Sequence, residues 1–369
     1  MRWVRRCVNA LLGTVAVVLV VLAAMALQAL RAPGADSAEA KLAEWGRDHG
    51  LATQVTWLER LKYEQDPPAV GGAPPGGIAE PAGAITRALP SAQFDATPLA
   101  VLAPGPRLSN EGVWQTVVTV RGGPAVQVAE LRPDAAHTSF VAGVMRMDPT
   151  LIRGELRPGA ADPGGSWRAS SSLTASEQHT VAAVFNGGFR LSDRSHGGYY
   201  SEGRIVTPLV DGKASLVLHT DGTADVGTWN GEVRMGPTVA SVRQNLVPLV
   251  DGGQVNPTCA TGGPKEWGDT IGQAAFIQRS GFGVTATGAE VYVGGPALSV
   301  CSLGRILADA GVVRGMELDI NPTWVSGAYF HDQSSGPPMG FKLFPDEQVD
   351  PLHYLRTSSR DWLAWFVRS

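Results

Sequence analysis

Two segments of the chain share one pattern, in which an apolar run ends abruptly on polar residues. Residues 181–185 are apolar and lead into the Asn-Gly-Gly sequence at 186–188, and the run at 316–320 leads into Asn321. Short runs of this kind predict buried strands. In α/β proteins, ligands bind beyond the carboxyl ends of strands, where loops vary and backbone groups are unpaired. The pattern therefore predicts a functional site at which these two strand ends meet.

The second segment also places polar side chains on one face of its strand. Glu317, Asp319 and Asn321 alternate with apolar residues, and side chains two positions apart share a face. Three polar groups on one face are costly to bury unless they are paired, bind a ligand or face water. This face is therefore either exposed on an outer strand or part of a site. A predicted helix at 302–310, capped by Gly311, leads directly into the strand and favours the second alternative.

Hairpins dominate the predicted structure of the rest of the domain. Turn sequences such as Gly-Gly-Pro at 122–124 and Asp-Gly at 211–212 separate short strand-like runs. A predicted helix precedes the strand at both key segments. We therefore predict an α/β or α+β domain, built around a mixed β-sheet with flanking helices. The strand-like runs are 114–120, 125–131, 139–147, 214–219, 276–279 and 290–293.

Residues 1–31 predict a cytoplasmic tip and a transmembrane anchor. Residues 8–30 form an uncharged, mostly apolar stretch of 23 residues, preceded by Arg2, Arg5 and Arg6. A helix of that length can cross a hydrocarbon core of about 30 Å. We predict an uncleaved signal anchor, with a cleaved signal peptide and a buried core helix as the alternatives. The arginines place the N-terminus in the cytoplasm and the bulk of the protein outside it.

Two further segments precede the globular domain, which we place at 92–369. Residues 32–66 predict a juxtamembrane amphipathic helix that spans 37–65 and has a weak point at Gly50. This helix is either a membrane-proximal stalk or packed on its own domain. Residues 67–91 are rich in Pro, Gly and Ala and carry almost no charge, which predicts a semi-extended linker.

Charge and cysteine content restrict the partners and the compartment. The chain has 30 basic and 34 acidic side chains, and four of the basic ones are arginines within residues 1–31. The remainder is acidic, which argues against a nucleic-acid-binding protein. Cys259 and Cys301 are the only cysteines beyond the N-terminal segment. In an oxidising compartment they could close a 42-residue loop as a disulfide, although both could also be free.

The Asn-Gly-Gly sequence and the residues after it supply most of the candidate chemistry. Gly187 and Gly188 either form a tight turn or let a ligand approach backbone N–H groups. His196 is either a surface residue or an acid–base group. Arg279, which follows another apolar run, is either part of a structural ion pair or a site residue. Further polar candidates in the loop are Arg190, Glu202 and Arg204.

The order of these motifs resembles the phosphodiester glycosidase family. Asn-Gly-Gly-Phe at 186–189 is followed by Arg-x-x-Phe-Gly-Val at 279–284 and then by a helix leading to Leu-Asp at 318–319. The likeness covers roughly residues 110–330. Members of this family hydrolyse a sugar-1-phosphodiester at the anomeric carbon. The resemblance implies the site residues Asn186, Gly187, Gly188, Arg279 and Asp319.

One departure from the family pattern lies directly after Asp319. The family usually continues with a glycine run and serines, whereas this chain has Ile-Asn-Pro-Thr-Trp at 320–324. Trp324 could stack on a sugar ring, and Asn321 could supply a polar contact. The same difference could equally mean a changed substrate or a lost activity.

We therefore predict a membrane-anchored, extracytoplasmic glycosidase that cleaves a glycosyl-1-phosphodiester in cell-envelope glycans. Cleavage at the anomeric carbon builds oxocarbenium character, which Asp319 would stabilise or trap. Arg279 would contact the leaving phosphate, supported by Arg190 or Arg204. Reserve acid–base candidates are Glu317, Glu202 and His196.

The alternative from another class is a non-catalytic domain that binds envelope glycans and has lost the glycine- and serine-containing loop. Such a domain would keep arginines and aromatic residues without needing the carboxylate. Neither prediction requires a cofactor, and nothing demands a metal, although clustered oxygen ligands would suit Ca²⁺. The expected partners are a carbohydrate or glycosyl phosphate and, through the N-terminal helix, the membrane.

Overall fold

Three helices come first in the chain. They are α1 (Arg2–Leu30), α2 (Ala38–Asp48) and α3 (Ala52–Gln65). The predicted anchor coincides with α1, where the side chains of residues 2–11, 15, 18 and 19 lie outside the described set. Within the described residues, no helix combines the length and the apolar character needed to cross a membrane. The computed structural model describes residues 2–85, 88–192, 197–270, 274–331 and 338–368.

The single helix predicted for 37–65 is instead two helices. Ser37 caps α2, since its hydroxyl accepts a hydrogen bond of 3.1 Å from a backbone N–H in the first turn. Gly50 has a φ of +82°, a conformation that glycine adopts without a steric penalty, and the chain turns there before α3. An ion pair of 2.6 Å between Arg47 and Glu59 holds the two helices together. The weak point at Gly50 is therefore a helix break.

The segment predicted as a linker lies along the globular domain. Ile78 is buried among domain residues. The backbone N–H of Ile85 donates to the carbonyl oxygen of Thr116 at 2.7 Å, and that of Leu89 donates to Gly122 at 2.8 Å. These bonds run along an outer strand, whose unpaired edge they partly cover.

The strands of the domain form three sheets. The sheet orders are β1-β2-β3-β14-β13-β15-β11-β12, β7-β6-β10-β8-β9 and β17-β16-β5-β18-β4, called here the first, second and third sheet. In chain order, strands β1 to β18 are Gln115–Val120, Gly123–Leu131, Ala142–Met147, Ile152–Arg157, Val181–Asn186, Tyr199–Ser201, Arg204–Thr207, Ala214–His219, Ala224–Thr228, Val239–Gln244, Pro248–Asp251, Gln254–Val255, Ile277–Thr285, Glu290–Leu298, Val312–Glu317, Gly327–Phe330, Gly340–Lys342 and Trp362–Val367.

The α+β class is confirmed, whereas the mixed sheet is not. Every strand pair formed by the described residues is antiparallel. Tight turns join many neighbouring strands, and such turns can connect only antiparallel partners. Two short helices, α4 (Pro264–Trp267) and α5 (Val300–Asp309), complete the domain. Helix α5 matches the predicted helix, and Gly311 follows it with a φ of +87°.

The strand predicted for 316–321 ends earlier than expected. In the structure β15 stops at Glu317, so Asp319 lies in the loop beyond it. Glu317 and Asp319 are 0% and 2% exposed, and the apolar residues between and beside them are buried as well. The interpretation as a solvent-exposed face is therefore wrong, because both faces of this segment are covered by protein.

Two apolar cores lie on opposite faces of the first sheet. Along β14, Tyr292 faces the core shared with the other two sheets, whereas Val291 and Val293 face α5. In the shared core, the ring of Phe185 lies 4.4 Å from Tyr292 and 4.6 Å from Trp365, measured between centroids. This stack, at the end of β5, packs the first and third sheets together.

The carboxylate of Glu290 links all three sheets. Glu290 lies in β14 and accepts hydrogen bonds from the backbone N–H of Ala224 in β9, at 2.7 Å, and from the indole N–H of Trp365 in β18. The side chain is buried, and burial raises the pKa of Glu290 to about 7, against the smaller opposing effect of these donors.

We predict that Glu290→Gln removes a pH-dependent part of the stability. The folded protein binds the Glu290 proton more tightly than the unfolded chain does, so the protonated side chain stabilises the fold. This contribution is complete below the unfolded pKa of 4.5 and is lost as the pH rises through about 7. Between about pH 5 and pH 8, wild type should lose on the order of 3 kcal/mol more unfolding free energy than the variant. Urea unfolding at both pH values measures this, with exposed Glu64→Gln as control. Equal pH dependence in Glu290→Gln and wild type contradicts the prediction.

Cys259 and Cys301 form the predicted disulfide. The bond ties the 3₁₀ turn Pro257–Ala260 to α5 and closes a loop with a sequence separation of 42.

We predict that replacing both cysteines by serine lowers the free energy of unfolding by about 4 kcal/mol, because the unfolded chain regains the freedom that the crosslink removes. Urea unfolding of wild type, the double variant and reduced wild type measures the effect. The reduced protein should match the double variant, and superimposed curves for all three would contradict the prediction.

Candidate active site

Three parts of the chain that are distant in sequence line one pocket. The end of β5 contributes residues 186–188, and the segment after β15 contributes Asp319 and Trp324. The third part is 349–361, which precedes β18. Trp362, the first residue of β18, pairs with the last residue of β5. The antiparallel pairing thus places the start of one strand beside the end of the other, at the pocket.

The side-chain amide of Asn186 holds these strand ends together. Its Nδ2 donates to the carbonyl oxygen of Gly187 at 2.7 Å and to Ser280 Oγ at 3.0 Å. Its Oδ1 accepts from the Tyr292 hydroxyl at 2.8 Å and from the backbone N–H of Ser326 at 3.1 Å. An amide has two donor hydrogens and two acceptor lone pairs, so its whole capacity is used within the protein. Asn186, predicted to bind substrate, is arranged here as a structural link.

Gly187 and Gly188 pack against a buried ion pair. Arg243 Nε lies 2.8 Å from Asp361 Oδ2, and both side chains are fully buried. A Cβ on Gly187 would lie 2.3 Å from Asp361 Oδ2, and one on Gly188 would lie 3.2 Å from Arg243 Cζ. The first distance is too short for any side chain, so the glycines allow the ion pair to approach the backbone.

Asp319 lies just beyond β15, at the pocket. Its Oδ1 accepts hydrogen bonds from the backbone N–H groups of Ile320 at 2.7 Å and Asn321 at 2.9 Å. Its Oδ2 lies 3.2 Å from Arg360 Nη1. The backbone N–H of Ser280 in β13 donates to the carbonyl oxygen of Asp319 at 2.9 Å. These contacts hold the carboxylate in one orientation, with one oxygen toward a guanidinium.

Arg360 supplies that guanidinium. Its Cζ lies 4.8 Å from the centroid of the Trp324 ring. Burial alone would lower the pKa of Arg360, but the surrounding carboxylates, first among them Asp319, raise it. Its Nε is buried and makes no hydrogen bond within the part of the chain that the structure describes. A buried donor normally has a partner, so an anionic ligand would complete this arrangement.

Arg279 and Glu317, two of the predicted catalytic residues, form a buried ion pair that does not line the pocket. Arg279 Nη1 lies 2.5 Å from Glu317 Oε1, and Arg279 Nε donates to the carbonyl oxygen of Leu298 at 3.0 Å. Burial raises the pKa of Glu317, and Arg279 offsets this only in part. The pair joins β13 to β15, as in the structural alternative for Arg279.

Glu202 and Arg204 fasten the loop at 158–172 instead of lining the pocket. Glu202 accepts hydrogen bonds from the backbone N–H groups of residues 168 and 169, at 3.0 and 2.9 Å. The Arg204 guanidinium lies 3.8 Å from the centroid of the Trp167 ring. Both side chains thus stabilise this loop.

Arg190 and Asn321 also do not line the pocket, and their side chains contact other residues. Arg190 Nε lies 3.1 Å from Glu44 Oε2, and its Nη2 lies 2.7 Å from Asp48 Oδ1. Helix α2 is therefore packed on its own domain, next to the loop after β5. Asn321 Oδ1 accepts a hydrogen bond of 2.9 Å from a backbone N–H two residues later. His196 lies outside the described residues.

The segment 349–361 is not among the residues predicted from the sequence, because the prediction rests on the carboxyl ends of strands and this segment precedes a strand. It supplies His353, Arg360 and Asp361 to the pocket. A signal was present, since Ser-Ser-Arg-Asp at 358–361 stands directly before the apolar run of β18. Charged residues that precede a buried strand meet the end of an antiparallel neighbour, which makes them as informative as residues that follow one.

The described part of the chain contains no cluster of side chains arranged to bind a metal ion. No group of three or more His, Cys, Asp or Glu is arranged there to hold an ion. The oxygens of Asp319 face two N–H groups and a guanidinium, whereas Ca²⁺ needs six to eight oxygen ligands around it. The structure thus offers no support for the calcium alternative.

We predict that Asn186→Ala lowers the free energy of unfolding by about 2–4 kcal/mol, since several buried polar partners lose their hydrogen bonds. Tyr292→Phe removes one of these partners and should cost only about 1 kcal/mol. Urea unfolding of both variants tests the prediction. A smaller loss in Asn186→Ala than in Tyr292→Phe contradicts the linking role of this amide.

Comparisons with known proteins give distant similarity at the level of the fold. No protein-family model and no curated protein matches the chain. The catalytic domain of zebrafish N-acetylglucosamine-1-phosphodiester alpha-N-acetylglucosaminidase, auto-inhibited by its pro-peptide, has a TM-score of 0.44 at 12% identity, over 69% of this chain and 88% of that one. A hypothetical protein from Synechocystis has a TM-score of 0.39 at 12% identity, over 68% of this chain and 63% of that one. A putative exported protein from Burkholderia pseudomallei K96243 has a TM-score of 0.35 at 12% identity, over 64% and 76%.

Proposed function

We propose that the protein is an extracytoplasmic hydrolase that cleaves a glycosyl-1-phosphodiester between the anomeric carbon and the phosphate oxygen. The observation that carries this proposal is the placement of Asp319 and Arg360 in one pocket, 3.2 Å apart. The Arg360 Nε donor is unused within the described residues. A carboxylate suits the positive charge that develops on the sugar, and a guanidinium suits the phosphate. The sugar of a bound glycosyl phosphate would therefore lie next to the negative carboxylate, and its phosphate next to the positive guanidinium.

In this proposal Asp319 acts on the sugar and Arg360 on the leaving group. The bond from the anomeric carbon to the phosphate oxygen breaks, and its electron pair stays on the phosphate. Asp319 stabilises or traps the resulting oxocarbenium character, and water supplies the new oxygen at the anomeric carbon. Because phosphate is already a good leaving group, neutralising its charge can replace a strong general acid.

Arg360 takes the role that the sequence suggested for Arg279. Arg279 is engaged by Glu317 at 2.5 Å, away from the pocket lining. Arg360 borders the pocket and lies over the Trp324 ring at 4.8 Å. One face of Trp324 therefore orients the guanidinium, and stacking on a sugar would need the other face.

Substrate binding requires Asp319 and Arg360 to separate. Their side chains are 3% and 10% exposed, so the pair is nearly closed to solvent. A phosphate carries acceptor oxygens that match the planar fork of arginine and competes with Asp319 for it. Once the phosphate has taken the guanidinium, the carboxylate is released toward the sugar.

The compartment and the attachment are part of the proposal. The disulfide between Cys259 and Cys301 suits an oxidising compartment, which supports an extracytoplasmic location. The charge and length pattern of residues 1–31 supports membrane attachment through α1. With that attachment, the proposed substrate is a glycan of the cell envelope.

We predict that Asp319→Asn lowers kcat on a glycosyl-1-phosphodiester by roughly 10³-fold, because the developing positive charge loses its counterion. Arg360→Lys keeps a charge but loses the planar fork, and should lower kcat/KM by about 10–100-fold. Steady-state kinetics measure both. The matched controls are Asp309→Asn and Arg305→Lys, an ion pair on α5 in which Arg305 is exposed and Asp309 is partly buried. Undiminished turnover by folded Asp319→Asn removes this residue from the mechanism.

Hydrolysis in H₂¹⁸O identifies the bond that is cut. Cleavage at the anomeric carbon leaves the phosphomonoester free of ¹⁸O, whereas cleavage at phosphorus places the label in it. Calorimetry on the same sample measures binding without turnover. Binding with no product released would support the glycan-binding alternative and overturn the hydrolase.

A further inference from the structure

His353 lies in the same pocket and has no role in the chemistry proposed for Asp319 and Arg360. His353 opens the 3₁₀ turn His353–Leu355, lines the pocket and is 8% exposed. Its Nε2 lies 3.7 Å from Oδ1 of Asp36, a residue of the segment between α1 and α2. A carboxylate behind an imidazole is the arrangement that orients histidine for proton transfer.

Asp36 is held in place for this contact. The backbone N–H of Ala35 donates to the carbonyl oxygen of Thr357 at 2.7 Å, which lays the segment on the loop that carries His353. Gly34 has a φ of +113°, and a Cβ there would lie 2.8 Å from Ser359 Cβ, so only glycine allows this approach. The N-terminal segment is thus fitted closely to one side of the pocket.

The Asp36 carboxylate has an oxygen that still needs a donor. Its side chain is 4% exposed, and Oδ1 is buried without a hydrogen bond in the described part of the chain. The separation of 3.7 Å from His353 Nε2 is slightly longer than a hydrogen bond. Catalytic hydrogen bonds are often long without substrate and shorten when it binds.

The charges around His353 favour its neutral form. Burial lowers the pKa of His353, and Asp36 opposes this more than any other group. On its own loop, Arg356 lowers the pKa further and Asp350 raises it. The charged residues Asp319, Arg360 and Asp361 line the same pocket. With a pKa below the ordinary 6.5, the imidazole is a proton acceptor at neutral pH.

We propose that His353 is the general base of the reaction and that Asp36 is its positioning residue. This inference rests on the proposed function. The water oxygen bonds to the anomeric carbon, its proton passes to the imidazole, and the sugar–phosphate bond breaks with its electron pair on the phosphomonoester. Asp36 acts through His353 by fixing the ring and stabilising the imidazolium that forms. The N-terminal segment thereby becomes part of the active site.

The test compares pH profiles of kcat/KM on one glycosyl-1-phosphodiester for wild type, His353→Gln and Asp36→Asn. His353→Gln should lose about 10²–10⁴-fold in kcat together with the acidic limb of the profile. Because the base must be neutral, activity rises with pH through the pKa of His353. Asp36→Asn removes the charge that raises this pKa, so its limb should move to lower pH by about one unit or more. Exposed His49→Gln and Asp66→Asn are the matched controls.

Two further experiments distinguish a catalytic role of His353 from a purely structural one. Imidazole added to His353→Ala should restore part of the turnover, an effect that a purely structural histidine does not show. If His353→Gln fails to fold, the acidic limb of Asp36→Asn decides, and an unchanged limb overturns the proposal.

Two other outcomes distinguish a failure of the general-base role from a failure of the proposed function. An active wild type, with His353→Gln within threefold of its kcat and an unchanged pH profile, overturns the role of His353 alone. A wild type that turns over no glycosyl phosphodiester overturns the proposed function and the general base with it.

Discussion

The four hydrogen bonds of the Asn186 side chain are the constraint on which the pocket depends. They connect the end of β5 in the third sheet to Tyr292 and Ser280 in the first sheet and to Ser326 in the loop before β16. Without a side chain that both donates and accepts twice, buried polar groups from three directions would each lose a hydrogen bond. The pocket lies at this junction, where residues 186–188 at the end of β5 meet Asp319 from the loop beyond β15.

Around this junction the protein places buried charge, which a fold tolerates only when it is paired. Arg243 with Asp361, at 2.8 Å, and Arg279 with Glu317, at 2.5 Å, are pairs that hold strands and loops. Removing one partner of such a pair leaves an uncompensated charge and costs several kcal/mol. Asp319 with Arg360 differs, since both residues line the pocket and Arg360 Nε has no hydrogen-bond partner among the described residues. Buried ion pairs thus stabilise the fold in two places, and at the third we propose that the pair binds the ligand.

The segment before the globular domain has a closer relation to the site than its composition suggests. Asp36 lies 3.7 Å from His353, and Glu44 and Asp48 pair with Arg190 beyond β5. These contacts place acidic side chains from one short segment against basic ones from two loops of the domain. Burial and the positive charge of Arg360 both lower the pKa of Arg190, and Glu44 and Asp48 offset these effects.

Local patterns in the sequence were sufficient for the α+β class, for the strand at 181–186, for α5 with Gly311 behind it and for the cysteine pairing, because each depends on neighbours along the chain or on the only available partner. They also led to the prediction that residues 186–188 and Asp319 meet at one site, and these residues do line the same pocket. The antiparallel pairing of β18 with β5, the early end of β15 and the contact between Asp319 and Arg360 were not predictable in this way. Hydrophobic periodicity shows which face of a strand or helix is buried, but it does not show which distant strand covers that face. Sheet register decides that, and with it whether a buried arginine meets a structural carboxylate, as Arg279 does, or borders the pocket, as Arg360 does.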